Sequence, residues 1–273
     1  MGMSMSRPTV LEVATKTYYW KPIHAFFKSI ELDLYHDLDV DLENPVLDLG
    51  CGEGGVIRIL KETGLVKKPP YGIDISYSLL KKAKLRNEYL SIIQADANYL
   101  PFKDESFVSI ICNGVLGSIP EGFEQPLKEA NRVLKKGGIF VATVPTDKFA
   151  DVLIIPKLLE RLSHKLSVRY IKKLNNRVLH FHTYSPQEWK KRIEDNGFIV
   201  LKTKPFFSRQ VGFVWSILSI QAFRIFGLLS FIRNKYLVRT VSAMLENVFK
   251  KIYKDQPREM SDYGYIFIIA RKV

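Results

Sequence analysis

Cysteine is scarce in this chain, and the two that occur fit neither a disulfide framework nor a metal site. The sequence has 273 residues and two cysteines, Cys51 and Cys112, which stand far apart. Neither cysteine shows the short ligand spacing of a zinc motif. This usage is typical of a reducing compartment, so we predict a cytoplasmic protein without a bound metal.

Secretory and repetitive patterns are also missing. Residues 1–10 do not contain the charged segment and apolar run of a signal peptide. The sequence shows no internal repeat and no low-complexity tract, which excludes solenoid and biased-composition classes. Hydrophobic residues make up 47% of the chain. We therefore predict a well-packed core in one large domain, or in one domain with additions.

Positive charge is concentrated in the second half of the chain. Residues 1–150 carry 18 Lys and Arg against 19 Asp and Glu, whereas residues 151–273 carry 23 against 9. Anionic lipid, a phosphorylated substrate or nucleic acid would complement this surface, although it could equally be a plain solvated face. No single-strand stacking platform or known nucleic-acid module occurs, so nucleic acid is an unlikely partner.

A glycine-rich segment at residues 46–55 organises the sequence. It begins with apolar residues that indicate the end of a buried strand, and it continues into a predicted helix. Gly50, Gly52 and Gly55 satisfy the G-x-G-x-x-G pattern, in which the backbone passes close to a ligand beside a helix N-terminus. The glycines alone do not distinguish a dinucleotide from another nucleoside cofactor.

Two acids make the pattern more specific. Asp48 lies two residues before Gly50, inside the predicted strand end. Asp74 follows a second apolar strand, 24 residues after Gly50. An acid in that place can accept hydrogen bonds from both hydroxyls of a ribose.

Residues 48–54, Asp-Leu-Gly-Cys-Gly-Glu-Gly, resemble motif I of the class I S-adenosylmethionine-dependent methyltransferases. The methyltransferase type 11 branch is the most similar, with a good resemblance over roughly residues 44–145 and a loose one over 180–204. The resemblance implies S-adenosyl-L-methionine as the cofactor. It also implies a Rossmann-like methyltransferase fold, whose last strand runs antiparallel between strands five and six.

The order of apolar strands and helices favours the same α/β fold, a doubly wound, mostly parallel sheet of seven strands. The predicted strands are residues 46–49, 71–75, 91–95, 108–112, 139–144, 198–203 and 263–271. Helices are predicted at 76–86, at 121–135 with Gly137 as its stop, and after Ser185 as N-cap. We predict one methyltransferase domain, residues 1–273. Its additions are an N-terminal helical cap (1–43), a basic amphipathic insertion after strand five (146–184) and an apolar and basic helical insertion between the last two strands (205–261).

Cofactor contacts are expected at the carboxyl ends of the strands, which meet at one edge of a parallel sheet. The resemblance implies that glycines of motif I lie against the methionine part of the cofactor and that Asp74 binds the ribose. It implies that Asp96 binds the adenine amino group and that Asn113 faces the methionine part. The predicted cofactor-binding residues are Asp48, Gly50, Gly52, Gly54, Asp74, Ile75, Asp96, Ala97 and Asn113.

The chain departs from the family where an acceptor base is expected. The family's Leu-x-His-Ile after strand four reads Leu-Gly-Ser-Ile at residues 116–119, so that histidine is missing. A neutral hydroxyl acceptor would need a general base. His180, His182 and Tyr184 are the candidates, because they precede the capped helix on the predicted substrate side. Alternatively, this segment is a structural loop or edge strand that packs on the insertion.

An apolar stretch at residues 211–232 points to a membrane. It contains no acid and one base, Arg224, and it is long enough to span a ~30 Å hydrocarbon core. Strands precede and follow it, however, and all must pair in one sheet. We therefore predict peripheral binding to an anionic membrane surface on the inner face, through residues 205–252. The alternative is a pair of buried helices.

The predicted function is methylation of a lipid-linked or isoprenoid acceptor at a membrane surface, with oxygen slightly favoured over carbon. Three alternatives remain open at this point. The acceptor could be a small soluble metabolite with the insertions as a lid, the enzyme could be an NAD-dependent oxidoreductase, or the chain could be a non-catalytic membrane-binding module. No oligomeric state follows from the sequence.

Overall fold

The computed structural model describes residues 8–216 and 263–273. In chain order the strands are β1 Val46–Leu49, β2 Tyr71–Asp74, β3 Ser91–Gln94, β4 Phe107–Asn113, β5 Leu134–Pro145, β6 Phe198–Ser208 and β7 Tyr263–Lys272. The helices are α1 Val10–Thr17, α2 Pro22–Asp37, α3 Gly55–Glu62, α4 Tyr77–Arg86, α5 Glu124–Val133, α6 Ile154–Leu162, α7 His164–Val178 and α8 Pro186–Glu194. A short 3-10 helix lies at Leu116–Ser118, and residues 209–216 are also helical.

The seven strands form one open sheet in the order β3-β2-β1-β4-β5-β7-β6. Strands β1 to β5 pair in parallel, and β7 runs antiparallel between β5 and β6. This order confirms the predicted doubly wound fold and the place of its last strand. The carboxyl ends of β1, β2 and β4 therefore lie side by side at one edge of the sheet.

Both faces of the sheet are buried, because its apolar side chains alternate between two clusters. Val141 and Phe267 pack on one face, in a cluster with residues of α1, α2 and α3. Phe140 and Ile268 pack on the opposite face, in a cluster with residues of α5 and α8 such as Trp189. This period of two follows from the alternating direction of side chains along a strand. It explains why the strands are apolar throughout.

Two predicted boundaries were wrong. Helix α5 ends at Val133 rather than at Lys135, because Leu134 already pairs with Phe107 as the first residue of β5. Residues 205–208 belong to β6 and not to the insertion, because β7 offers backbone partners as far as the pair Ser208–Tyr263. The predicted apolar stretch lies outside the described residues from 217 onward.

Helices α1 and α2 precede the first strand, and helices α6 and α7 follow β5. Helix α2 is part of the core, with Phe26, Ile30 and Tyr35 buried against the sheet and its neighbours. Helices α6 and α7 make a hairpin held by buried Leu153 and Leu174, while several of its other apolar side chains stay exposed. None of the helices in the described parts of the chain is long and apolar enough to cross a membrane.

Candidate active site

The glycine-rich turn after β1 leaves open space beside the backbone. Gly50, Gly52 and Gly54 all have positive φ angles, which let the chain turn sharply into α3. A Cβ on Gly50 would lie 2.3 Å from Cγ2 of Val115, whereas one on Gly52 would meet nothing within 4 Å. The turn therefore packs tightly on one side and can accept a ligand on the other.

Asp74, the last residue of β2, is held by two backbone amides. Its Oδ2 accepts a hydrogen bond from the Gly52 amide at 2.8 Å, and its Oδ1 accepts one from the Ser76 amide at 2.8 Å. Ser76 is the N-cap of α4, so the bond from its amide joins Asp74 to the start of that helix. A carboxylate accepts about four hydrogen bonds. Both oxygens thus keep capacity for a ligand's hydroxyls.

Asp48 is a buried acid beneath the turn. Its Oδ2 accepts a hydrogen bond from the Tyr89 hydroxyl at 2.7 Å. Burial raises the pKa of Asp48 to about 7, with a smaller contribution from Asp74, while the Tyr89 bond and Lys28 act in the opposite direction. Asp48 is only 2% exposed. Its place in the structure is that of a support for the turn.

The predicted adenine side lies at the ends of β2 and β3. Asp96 is half-buried, and its Oδ1 accepts hydrogen bonds from the backbone and side chain of Asn98, both at 2.9 Å. Ala97 is also half-buried. Ile75 is 68% exposed, which is unusual for a large apolar side chain next to a buried strand. A flat ring bound at this edge would cover it.

Asn113, the last residue of β4, presents a free amide group. The Tyr35 hydroxyl donates to its Oδ1 at 2.7 Å, which fixes the orientation of the amide. Its Nδ2 is buried and has no hydrogen-bond partner among the described residues. The next residue, Gly114, has open space where a Cβ would lie. A buried donor without a partner is costly, so this position fits a bound acceptor atom of a ligand.

A large cavity opens against Asn113 and Gly114, with a volume of ≈ 680 Å³. Its aromatic wall is formed by Trp20, Phe27, Phe149, Phe207, Trp215 and Tyr265. Three cationic side chains, Lys21, Lys28 and Arg177, and the imidazole of His24 complete the polar part of its lining. No acidic residue is among the described residues that line it. The cavity therefore suits an apolar body that carries an anionic or ionisable group.

Helix α2 brings a polar stripe to this cavity that sequence reasoning missed. Lys28 Nζ contacts Glu31 Oε2 at 2.6 Å, and the Thr143 hydroxyl of β5 donates to Glu31 Oε1. Burial, with Lys28 and Lys21, lowers the pKa of His24 to about 3, so this imidazole is neutral. The spacing was visible in the sequence: His24, Lys28 and Glu31 lie on one helical face within an otherwise apolar pattern.

The structure separates His180 from the other two predicted base candidates, His182 and Tyr184, whose rings stack with their centroids 6.3 Å apart. His180 is buried, and its Nε2 lies 2.6 Å from the hydroxyl of Tyr265, which does line the cavity. Nε2 of His182 donates to the Ile119 carbonyl at 2.9 Å, and Tyr184 lies under the Arg192 guanidinium, 4.1 Å from its ring centre.

Neither His182 nor Tyr184 is among the described residues that line the cavity. The reason is local. Leu179 adopts a positive φ at the end of α7, and the backbone amide of His180 then donates a hydrogen bond to the Asn175 carbonyl. The side chain of His180 therefore points in a different direction from that of His182. Burial lowers the pKa of His180 to about 4.

Comparison with known proteins agrees with this geometry. Residues 47–142 match the family model described as a methyltransferase domain. Demethylmenaquinone methyltransferase of Staphylococcus aureus strain JH9 is 30% identical over 183 residues, which cover 62% of this chain and 74% of that protein. An uncharacterized protein of Methanocaldococcus jannaschii is 38% identical over 100 residues, 36% of either chain. The chain thus spans only about a third of the first curated relatives it matches.

Solved structures share the fold at low sequence identity. Geranyl diphosphate C-methyltransferase of Streptomyces coelicolor has a TM-score of 0.55 and 14% identity, over 92% of this chain and 79% of that one. A S-adenosylmethionine-dependent methyltransferase of Thermotoga maritima has a TM-score of 0.55 and 16% identity, over 97% and 98%. These structures share the doubly wound α/β fold of this chain.

More specifically, the chain belongs to the class I S-adenosylmethionine-dependent methyltransferases, with S-adenosyl-L-methionine as its cofactor. The NAD-dependent oxidoreductase alternative was wrong.

Proposed function

We propose that this enzyme methylates an isoprenoid or lipid-linked acceptor at the cytoplasmic surface of a membrane. The methyl group goes to an oxygen, or to a carbon made nucleophilic by a neighbouring ionised hydroxyl. The observation that carries the proposal is the aromatic cavity that opens directly against Asn113 and Gly114. The N-terminal cap and the 146–184 insertion supply most of its walls, and they are the acceptor-specific parts of one methyltransferase domain.

The predicted cofactor residues fit their proposed roles. The carboxylate of Asp74 is oriented by two amides and would bind the ribose hydroxyls. The free Nδ2 of Asn113 would donate to the carboxylate of the methionine part, beside the open space at Gly52. Adenine would lie on Ile75 with Asp96 and Ala97 at its edge. Asp48 would support the turn from below through Tyr89 rather than touch the cofactor.

The size and lining of the cavity favour an apolar acceptor. Ligand sites commonly enclose about 300–1,000 Å³ and are mostly apolar with a few polar groups, and this cavity of ≈ 680 Å³ matches that description. The relatives support an isoprenoid compound, because demethylmenaquinone and geranyl diphosphate appear in the names of two of them. The cations Lys21, Lys28 and Arg177 favour an acceptor that carries negative charge during the reaction.

Methyl transfer needs positioning more than covalent help from the protein. The cofactor supplies a methyl carbon already activated by its sulfonium. The aromatic wall would hold the acceptor in line with that carbon and exclude water, which is where most of the rate enhancement arises. Lys28, held against Glu31, would stabilise an oxyanion on the acceptor. Neutral His24 in the same cavity can accept a hydrogen bond from an acceptor hydroxyl.

The α6–α7 hairpin supports the membrane part of the proposal. Its exposed apolar side chains are Leu158, Leu162, Leu166 and Val168. Its exposed bases are Lys157, Arg161, Lys165, Arg169, Lys172 and Lys173. Exposed leucines among bases are typical of a helix that lies on anionic lipid. The last turn of α7 reaches the cavity through Arg177 and Val178, so a lipid acceptor could enter from the membrane side.

An acceptor panel tests the proposed activity. The full chain is incubated with S-adenosyl-L-methionine carrying a deuterated methyl group, and with demethylmenaquinone, the same ring without its prenyl chain, or geranyl diphosphate. We expect turnover of a prenylated acceptor with a KM at least ~tenfold below that of the chain-free ring, because burial of each CH₂ contributes ~0.8 kcal/mol. Mass spectrometry of the product locates the methyl group. Preferred turnover of the chain-free ring would favour the soluble-metabolite alternative.

Flotation with vesicles tests the membrane surface. The full chain should float with vesicles containing anionic lipid, more weakly at high salt, and poorly with neutral vesicles. Changing Leu158 and Leu162 to Asp should abolish flotation. Leu85→Asp is the matched control, because Leu85 is 88% exposed on α4, outside the hairpin. Equal flotation of the hairpin variant and the control would contradict docking through α6–α7.

A further inference from the structure

We infer that Tyr265 and His180 form a proton path from the acceptor cavity to a separate groove on the outer side of α7. The inference rests on the proposed function, because a path is needed only when the acceptor loses a proton on methylation. It assigns to His180 a role through Tyr265, rather than direct contact with the acceptor. It also assigns a role to β7, a strand that carries none of the cofactor residues.

The inner end of the path is the Tyr265 hydroxyl. Tyr265 lines the acceptor cavity, and its ring packs against Phe27 at 5.0 Å and Phe149 at 5.5 Å between centroids. Its hydroxyl lies 2.6 Å from Nε2 of His180. Burial, with a smaller effect of Glu31, raises the pKa of Tyr265 far above its usual range. The Tyr265 hydroxyl thus stays protonated. It can take part in proton transfer only by accepting one proton as it donates another.

The outer end is a groove of ≈ 410 Å³ lined by residues 168–181 of α7 and its C-terminus, with His180 among them. Two residues that line this groove, His180 and Asn175, each carry a buried side-chain atom with no hydrogen-bond partner among the described residues: Nδ1 of His180 and Oδ1 of Asn175. Buried polar atoms without a protein partner are the groups that an ordered water satisfies. The His180 imidazole, 8% exposed, therefore joins the two cavities, with Nε2 on one side and Nδ1 on the other.

The proton balance is simple for a hydroxyl acceptor. The acceptor O–H proton passes to the Tyr265 oxygen, the Tyr265 proton passes to Nε2 of His180, and the proton on Nδ1 leaves to water in the groove. The electron pair left on the acceptor oxygen forms the new bond to the methyl carbon. The sulfur–methyl bond breaks with its pair on sulfur, so the released proton balances the positive charge lost there. Exchange of the imidazole proton between its nitrogens through water restores the starting tautomer.

Several charged or titratable groups surround the path and shape its pH dependence. Lys28, Glu31 and His24 face it from α2, and Lys172 and Arg177 face it from α7. Burial keeps His180 neutral above about pH 4, which leaves Nε2 free to accept the Tyr265 proton at neutral pH.

The test compares variants on two acceptors of the same shape, one with a neutral hydroxyl and one already ionised at the assay pH. His180→Gly should lower kcat for the neutral acceptor by ~10²-fold or more, with no change for the ionised acceptor or for cofactor affinity. Added imidazole should restore turnover, because the glycine leaves space between the two cavities. Tyr265→Phe should show the same selective loss without rescue. His164→Gly, an exposed histidine on α7, is the matched control.

Each outcome decides the question. Selective loss with imidazole rescue supports the path. Equal loss on both acceptors, or no loss, overturns it and leaves His180 as a packing residue. Cofactor binding without turnover of either acceptor by the unchanged chain would instead overturn the proposed function, and the path with it.

Discussion

Replacement of Asp74 by alanine tests the proposed ribose site. In the structure its two oxygens accept hydrogen bonds from the amides of Gly52 and Ser76, each at 2.8 Å. These bonds join the glycine-rich turn to the start of α4. In the complex the same carboxylate would also accept hydrogen bonds from both ribose hydroxyls. Alanine would thus remove the proposed ribose contacts and would loosen the glycine-rich turn through loss of the Gly52 bond.

The expected magnitude follows from these contacts. Hydrogen bonds to an ionised group contribute ~1.5–3 kcal/mol each, and water in the space left by the side chain recovers part of that. Since ~1.4 kcal/mol corresponds to a factor of ten in affinity, the Kd for S-adenosyl-L-methionine should rise by one to several decades. The freed amides of Gly52 and Ser76 lie near solvent, so the chain should lose only ~1–2 kcal/mol of unfolding free energy.

Isothermal titration calorimetry measures the affinity, and circular dichroism checks the fold. Asp74→Asn keeps one carbonyl oxygen but not the charge, so its affinity should lie between those of the unchanged chain and Asp74→Ala. Glu62→Ala is the matched control, because Glu62 is a surface acid of α3 that pairs only with Arg58 in the described structure. Unchanged affinity in a folded Asp74→Ala variant would refute the assignment of the ribose site.

Three further predictions concern stability, each measured by urea unfolding. Asp48→Asn should make the unfolding free energy less dependent on pH. Folding raises the pKa of Asp48 from 3.8 to about 7, so the native chain binds the carboxyl proton more tightly than the unfolded chain does. Relative to the variant, the unchanged chain should lose up to ~1.4 kcal/mol of unfolding free energy per pH unit as the pH rises from about 4 to about 7. Parallel plots of unfolding free energy against pH for the two proteins would contradict this. Gly55→Ala should cost ~1–3 kcal/mol, because the new Cβ would lie 2.0 Å from the Tyr18 hydroxyl oxygen. An unchanged midpoint would show that α1 does not pack there. Trp189→Phe should cost ~1–3 kcal/mol, because the buried Pro145 carbonyl loses its 2.8 Å bond from the indole; stability equal to that of the unchanged chain would contradict this.

Short-range features of this protein were readable from the sequence. Ser185 caps α8 as predicted, with its side chain accepting the Glu188 amide, because the partners stand three residues apart. Gly50 and Gly52 adopt the left-handed turn that their type permits. The strands were found because they are apolar on both faces. Their shared edge followed from the parallel arrangement that the alternation of strands and helices predicts, and it placed Asp48, Asp74 and Asn113 in one region.

The acceptor side was decided by tertiary packing. The Tyr265–His180 contact joins residues 85 positions apart, the Tyr35–Asn113 bond spans 78, and the Thr143–Glu31 bond spans 112. No local sequence pattern encodes such pairs, because they depend on how helices and strands that are distant in sequence pack against one another.

The same reason explains the separated histidines. Identical residue types two positions apart, His180 and His182, take different surroundings once α7 ends between two cavities. Local sequence fixes which groups a segment carries and which way its backbone turns. Only the assembled layers fix which groups face one another.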